Sequence, residues 1–163
     1  MKITFTLNEI VRNLNVEPGA CVRDLLQREG VVSVRNGCDG QGSCGNCSIL
    51  LDGKLVNSCL LVAAQIDGRD IVTVDYYNKQ RTLTAVQSSL VDTGIVQCGY
   101  CSPAMVLAIE ELLTRSKNPT KAEIKDALSG IFCRCTGYEQ LFQAVALAVN
   151  RLNDPNFVSV IAP

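Results

Sequence analysis

Histidine is absent from all 163 residues of the chain. That absence removes Rieske-type ligation, the zinc-finger types that need an imidazole, and any histidine general base. No basic block stands out either. Fifteen Lys and Arg are interspersed with 16 Asp and Glu, for a formal charge of −1. So balanced a chain lacks the cationic footprint of a nucleic-acid binder, and its charges read as solvated faces. Long apolar runs are missing too. The longest, such as Met105 to Ile109 and Ala144 to Val149, fall far short of the ~20 residues that cross a bilayer. The start, MKITFTLNEIVRNLNV, holds no apolar stretch leading to a small-residue cleavage site and no twin arginine. The expected location is therefore the cytoplasm, off the membrane. No internal repeat or low-complexity segment occurs.

Against these absences stand nine cysteines and a hydrophobic content of 47%. The length suits one ordinary domain or two small ones, and the apolar content supports a real core. Cysteines in a reducing compartment point to metal or redox chemistry before disulfides.

The first half reads as mostly β. Lys2 to Leu7 alternates polar and apolar, as a half-buried strand does. Asn8-Glu9 is a turn, Leu14 and Val16 continue a second strand, and Pro18-Gly19 breaks it. Val22, Leu25 and Leu26 fall at helical spacing, in a short helix ending at Gly30. Ser48–Leu51 and Lys54–Val56 flank Asp52-Gly53, a strong hairpin signal. Asp70 to Val74 is a last strand. This order suits a small sheet with one helix packed on it. Tyr76 to Arg81 is polar and reads as the linker. Beyond it the pattern turns helical. Val86, Leu90 and Val91 mark one helix, and Met105 to Leu113 a second. Thr120 with Glu123 forms a capping box opening a third, and Leu141 to Leu152 mark a fourth. Four short helices make a small bundle or a pair of αα-hairpins. The tail from Asp154 to Pro163 is expected to lie on a partner or to be mobile. The expected division is residues 1–75 and 82–153.

The cysteines divide the same way. Cys38, Cys44, Cys47 and Cys59 are spaced C-x5-C-x2-C-x11-C, three of them in one glycine-rich loop. Glycines there permit positive φ and close backbone approach, so the loop can wrap a compact inorganic core with its amides aimed at sulfur. Plant-type ferredoxins use C-x4-C-x2-C with a distant fourth cysteine, so the likeness is in kind rather than detail. Cys98, Cys101, Cys133 and Cys135 are spaced C-x2-C and C-x-C. Each pair precedes a predicted helix, with Pro103 at the start of one and Gly137-Tyr138 opening the other. Helix starts favour the negative charge of a thiolate-ligated cluster. Iron–sulfur clusters are the leading reading of both sets. Two four-cysteine zinc sites are the alternative, although zinc ribbons pair one C-x2-C with another and neither set does. Disulfides are the weaker alternative. Cys21 stands apart, and an inert free thiol is the expectation for it.

The motifs carry a resemblance. Gly37-Cys38, Gly42-Ser43-Cys44-Gly45-Asn46-Cys47, Leu51-Asp52-Gly53 and Ser58-Cys59-Leu60 resemble the first-cluster signature of the small iron–sulfur subunits of molybdenum hydroxylases. This is the xanthine dehydrogenase and aldehyde oxidoreductase family. Gln97-Cys98-Gly99-Tyr100-Cys101-Ser102-Pro103 and Cys133-Arg134-Cys135-Thr136-Gly137-Tyr138 resemble its second-cluster signature. The resemblance runs from about residue 2 to about residue 150.

It implies an α+β fold, an N-terminal ferredoxin-like β-grasp domain followed by a C-terminal four-helix domain. It implies two 2Fe–2S clusters held by Cys38, Cys44, Cys47 and Cys59 and by Cys98, Cys101, Cys133 and Cys135. It implies a hetero-oligomer, open to dimerisation, with a molybdenum–pterin cofactor on one partner subunit and FAD on another. In that setting the chain passes electrons from the molybdenum site through both clusters to FAD or another acceptor. The oxidised substrate would be an N-heteroaromatic such as a purine, or an aldehyde. Gln97 is the residue expected to approach the pterin, and Cys135 to lie by the pterin's amino group. Arg134, between two thiolates, would offset cluster charge, and Tyr138 reads as packing. A stand-alone ferredoxin-like carrier is the alternative function. The chain departs from the family's usual pattern at Asn46 and Ser48, at Ala104, and at Ile131-Phe132, none of which removes a ligand.

Overall fold

The computed structural model describes residues 1–78 and 82–158. Strand β1, Lys2–Leu7, buries Ile3, Phe5 and Leu7, with Thr4 exposed and Thr6 half-buried between them. It turns through Asn8 (φ +50°) and Glu9 (φ +69°) into β2, Ile10–Asn15. Two consecutive left-handed residues match the right-handed twist of a hairpin. Helix α1, Val22–Arg28, buries Val22, Leu25 and Leu26 at helical spacing. Strands β3, Ser48–Leu51, and β4, Lys54–Asn57, form the second hairpin, with Asp52 and Gly53 left-handed at its tip. Two 3-10 turns follow, Ser58–Leu60 and Ala63–Ile66. Strand β5, Asp70–Val72, then enters the middle of the sheet, parallel to β1 and antiparallel to β3. The strand order is β2-β1-β5-β3-β4.

All four residues of β3 are buried. Ile49 and Leu51 join the core under α1, while the strand also packs against a helix of the second half. An unbroken apolar run is the signature of a strand covered on both faces.

Five helices make up the rest. They are α2, Val74–Asn78; α3, Ala85–Asp92; α4, Ser102–Arg115; α5, Lys121–Leu128; and α6, Glu139–Asn153. Thr84 and Thr120 cap α3 and α5. Each side-chain oxygen accepts from the N–H three residues on, where Gln87 and Glu123 answer back to the Thr N–H. Pro103 occupies the first turn of α4, where a missing N–H costs nothing. The buried apolar side chains fall into two clusters. One lies between sheet and α1, around Phe5, Leu26, Ile49 and Ile71. The other lies among the helices, around Ile109, Leu112, Leu141 and Val145. The fold is thus mixed α+β, with a five-stranded sheet and six α-helices among the described residues.

Two expectations are corrected. The last strand stops at Val72, because the Thr73 N–H donates to the Asn8 side chain at 2.8 Å instead of to a strand. Val74 opens α2 and joins the helical core, so the polar stretch begins as helix; its last residues, 79–81, lie outside the described ones. Of the tail, residues 154–158 are described. Phe157 lies under the Arg151 guanidinium at 5.1 Å, and residues 159–163 lie outside the described ones.

Candidate metal centres

The loop between α1 and β3 carries Cys38, Cys44 and Cys47, and the 3-10 turn after β4 carries Cys59. Cys44 and Cys47 are buried, whereas Cys38 and Cys59 are partly exposed. Side chains fasten the loop from below. Ser48 Oγ donates to the Gly45 carbonyl at 2.6 Å, Ser58 Oγ to that of Cys47 at 2.7 Å, and Asn57 Nδ2 to that of Gly42 at 3.3 Å. The spacing of the cysteines gives no sign of these three roles; in the sequence Ser48 follows Cys47, and Asn57-Ser58 precede Cys59.

The loop's amides face sulfur. Burial would push the Cys38 thiol up, but the Cys44 side chain and the N–H groups of Cys44 and Ser43 outweigh it and bring it down to about 6. Cys59 is pushed up to about 11, first by burial and then by the Cys47 side chain, with the Gly42 N–H acting the other way. The four thiols thus interact with one another, Cys38 with Cys44, Cys47 with Cys59, and Cys59 with Cys38.

In the second set Cys101 immediately precedes α4 and is buried with Cys133, while Cys98 and Cys135 are exposed. Cys98 Sγ and Cys135 Sγ are 3.7 Å apart. Burial, then the Cys133 side chain, pushes Cys101 up to about 12. For Cys133, burial acts upward, but the Thr136 hydroxyl and the N–H groups of Cys135 and Thr136 bring it down. The expected helix start at Gly137-Tyr138 is displaced. Helix α6 begins at Glu139, and Cys133 and Cys135 sit on a loop before it. The Tyr138 hydroxyl closes that loop, accepting from the Cys133 N–H at 2.7 Å and donating to the Ile131 carbonyl at 2.9 Å. Tyr138 therefore does more than pack. Gln97, exposed beside Cys98, reaches the Cys135 carbonyl with Nε2 at 3.5 Å, a long contact. Cys21 lies outside both sets, its Sγ 3.7 Å from the Cys59 carbonyl.

The two sets abut. The Phe132 N–H donates to the Cys44 carbonyl at 2.8 Å, so the residue before Cys133 is bonded directly to a cysteine of the first set. Gly45 makes this approach possible. At φ +67°, any Cβ there would sit 2.1 Å from the Gly130 carbonyl oxygen. A cleft of about 240 Å³ runs between the sets, lined by Cys44, Asn46, Tyr100, Phe132 and Arg134 among others. Arg35, from the first loop, sits over the Tyr100 ring at 5.9 Å.

The donor chemistry can be tested against a cluster. Two thiolates on one tetrahedral metal, with metal–sulfur bonds of ~2.3 Å, lie about 3.8 Å apart. Cys98 and Cys135 match that spacing. Among the described residues, no three His, Cys, Asp or Glu side chains group to hold a single metal ion. Thiols that meet by twos, ringed by N–H donors, fit a 2Fe–2S cluster, which takes four cysteines over two irons.

Comparison with known proteins agrees. The family described as a 2Fe–2S binding domain matches residues 73–146. A protein named "probable hypoxanthine oxidase" in Escherichia coli (strain K12) is 46% identical over the whole chain, which spans 17% of that protein's length. The iron–sulfur-binding subunit of xanthine dehydrogenase from Escherichia coli O157:H7 is 38% identical, over 88% of this chain and 91% of its own. Among solved structures, quinoline 2-oxidoreductase from Pseudomonas putida 86 superposes with a TM-score of 0.87 at 33% identity, covering 96% of this chain and 98% of that one.

Proposed function

This chain belongs to the iron–sulfur subunits of the xanthine dehydrogenase and aldehyde oxidoreductase family, and from that premise we propose that it carries electrons between a molybdenum–pterin partner and FAD or another acceptor. Its own role is that of the electron-transfer subunit of an oxidoreductase. The reaction served is hydroxylation of an N-heteroaromatic such as a purine, or of an aldehyde, with the substrate site on another subunit. Residues 1–75 form a ferredoxin-like β-grasp domain and residues 82–153 a four-helix domain. Cys38, Cys44, Cys47 and Cys59 hold one 2Fe–2S cluster, and Cys98, Cys101, Cys133 and Cys135 the other. One-electron carriage is the chemistry these clusters supply.

The observation that carries the proposal is the junction. Two cysteine sets joined by the Phe132 N–H to Cys44 carbonyl bond form a short covalent and hydrogen-bonded bridge between two redox sites. The chain's residues divide the remaining work. Amides at Gly42, Ser43 and Cys44 aim at sulfur in the first set and stabilise its negative charge. Gly45 keeps the two loops in contact. Cys98, Cys135 and Gln97 are exposed together, an arrangement that suits a cofactor-bearing partner covering them. Gln97 and Cys135 are the residues that would face the pterin there.

The test is anaerobic addition of a purine or another N-heteroaromatic to the assembled enzyme. Cluster absorbance is expected to bleach within turnover time. Gln97→Ala should slow that bleaching by about tenfold, the lower end for a residue supporting a metal centre, while both clusters stay intact. Isolation of the chain as a lone monomer that binds no molybdenum subunit would contradict the proposal.

A further inference from the structure

The loop from Cys133 to Tyr138 has features that ligation alone does not explain. Tyr138 is a bulky residue at φ +68°, and Gly137 before it is left-handed as well. A large L-residue holds that conformation where its surroundings over-determine it, and such positions cluster at functional sites. The phenol does the holding here, through its bonds to the Cys133 N–H and the Ile131 carbonyl. The same backbone sets the Tyr138 N–H on Thr136 Oγ1 at 3.4 Å. With that donor on the oxygen's acceptor side, the hydroxyl proton is directed at Cys133 Sγ, 3.3 Å away. Cys133 is buried, so this bond is little screened by water.

We propose that Thr136 is a positioning residue that sets potential. Aimed by the left-handed Tyr138 backbone, its hydroxyl donates to the Cys133 sulfur and raises the reduction potential of the second cluster. The inference rests on ligation of that cluster by Cys133. A donor on a ligand sulfur draws off negative charge and so favours the reduced state, which carries one electron more. The Cys133 N–H is taken by the Tyr138 hydroxyl, which leaves the Thr136 side chain as the donor that substitution can remove.

The test is a redox titration of the cluster-loaded protein followed by EPR. Thr136→Val should move the second cluster's midpoint to lower potential and leave the first cluster's in place. Thr136→Ser, which keeps the hydroxyl, should stay near wild type. Thr136→Ala serves if valine prevents assembly. In D2O, pulsed EPR of the unaltered protein should show an exchangeable deuteron coupled to the second cluster that the serine variant keeps and the valine variant loses. Unmoved midpoints in the valine or alanine variant with both signals present overturn the inference, as does absence of that deuteron in the unaltered protein. Cys133→Ser separates the two readings. If it leaves both signals intact, the ligation is wrong and the inference falls with it. If it removes one signal while the Thr136 variants stay unmoved, the inference alone fails.

Discussion

Glu110 on α4 is a carboxylate that its surroundings press to stay protonated. Burial pushes its carboxyl above the ordinary range, and the Thr84 hydroxyl, donating at 2.8 Å, opposes this only in part. A group whose folded pKa is raised binds its proton more tightly in the folded chain. Its stabilising contribution is full below the ordinary glutamate value of about 4.3 and is lost as pH rises through the folded value. Glu110→Gln keeps an acceptor for Thr84 and removes the charge. Thermal denaturation should show a higher Tm for that variant at pH 8, with the gain shrinking toward pH 5. An equal gain at both, or a loss at pH 8, would go against this account. The same scale shows where sequence reading stops. The cysteine sets are legible because their spacing is local and their residue type is rare. The bonds of Tyr138 and Thr136 are not, because their partners are a backbone N–H and a sulfur, groups that leave no pattern in the residue order.

Turn chemistry makes the elements the most legible level. Asp52-Gly53, the Thr120–Glu123 box and Pro103 each announce a boundary through a local physical requirement, and each boundary stands where that requirement places it. The end of β5 is different. Nothing in Ile71-Val72-Thr73-Val74 signals a stop, because the stop is set by the Asn8 side chain across the sheet. Gly45 shows the same dependence on a distant partner. Gly53→Ala meets open space, so its cost should be that of the left-handed backbone, about 1–2 kcal/mol. Gly45→Ala meets that cost and the Gly130 carbonyl as well. It should destabilise the chain clearly more than Gly53→Ala in denaturant unfolding. It should also weaken the magnetic interaction between the two reduced clusters by forcing the loops apart. Equal stability loss in the two variants, with unchanged interaction, would show that the Gly45 contact is not what holds the junction.

At the scale of the whole molecule, two apolar cores each support one cysteine set, and the sets touch along one seam of backbone. The division into a sheet half and a helical half is legible from the change of hydrophobic period. The seam is not, since it depends on which loops meet. Two cores and one seam suit a carrier that must keep two redox sites close and hold both in place against different partners.

The most direct test of this account is metal and sulfide analysis with EPR of the reduced protein, run on wild type and Cys101→Ser. The account predicts iron and acid-labile sulfide in equal amounts and two distinct signals in wild type, with one lost and the other unchanged in the variant. Zinc without labile sulfide, or a Cys101→Ser protein that keeps both signals, would contradict it.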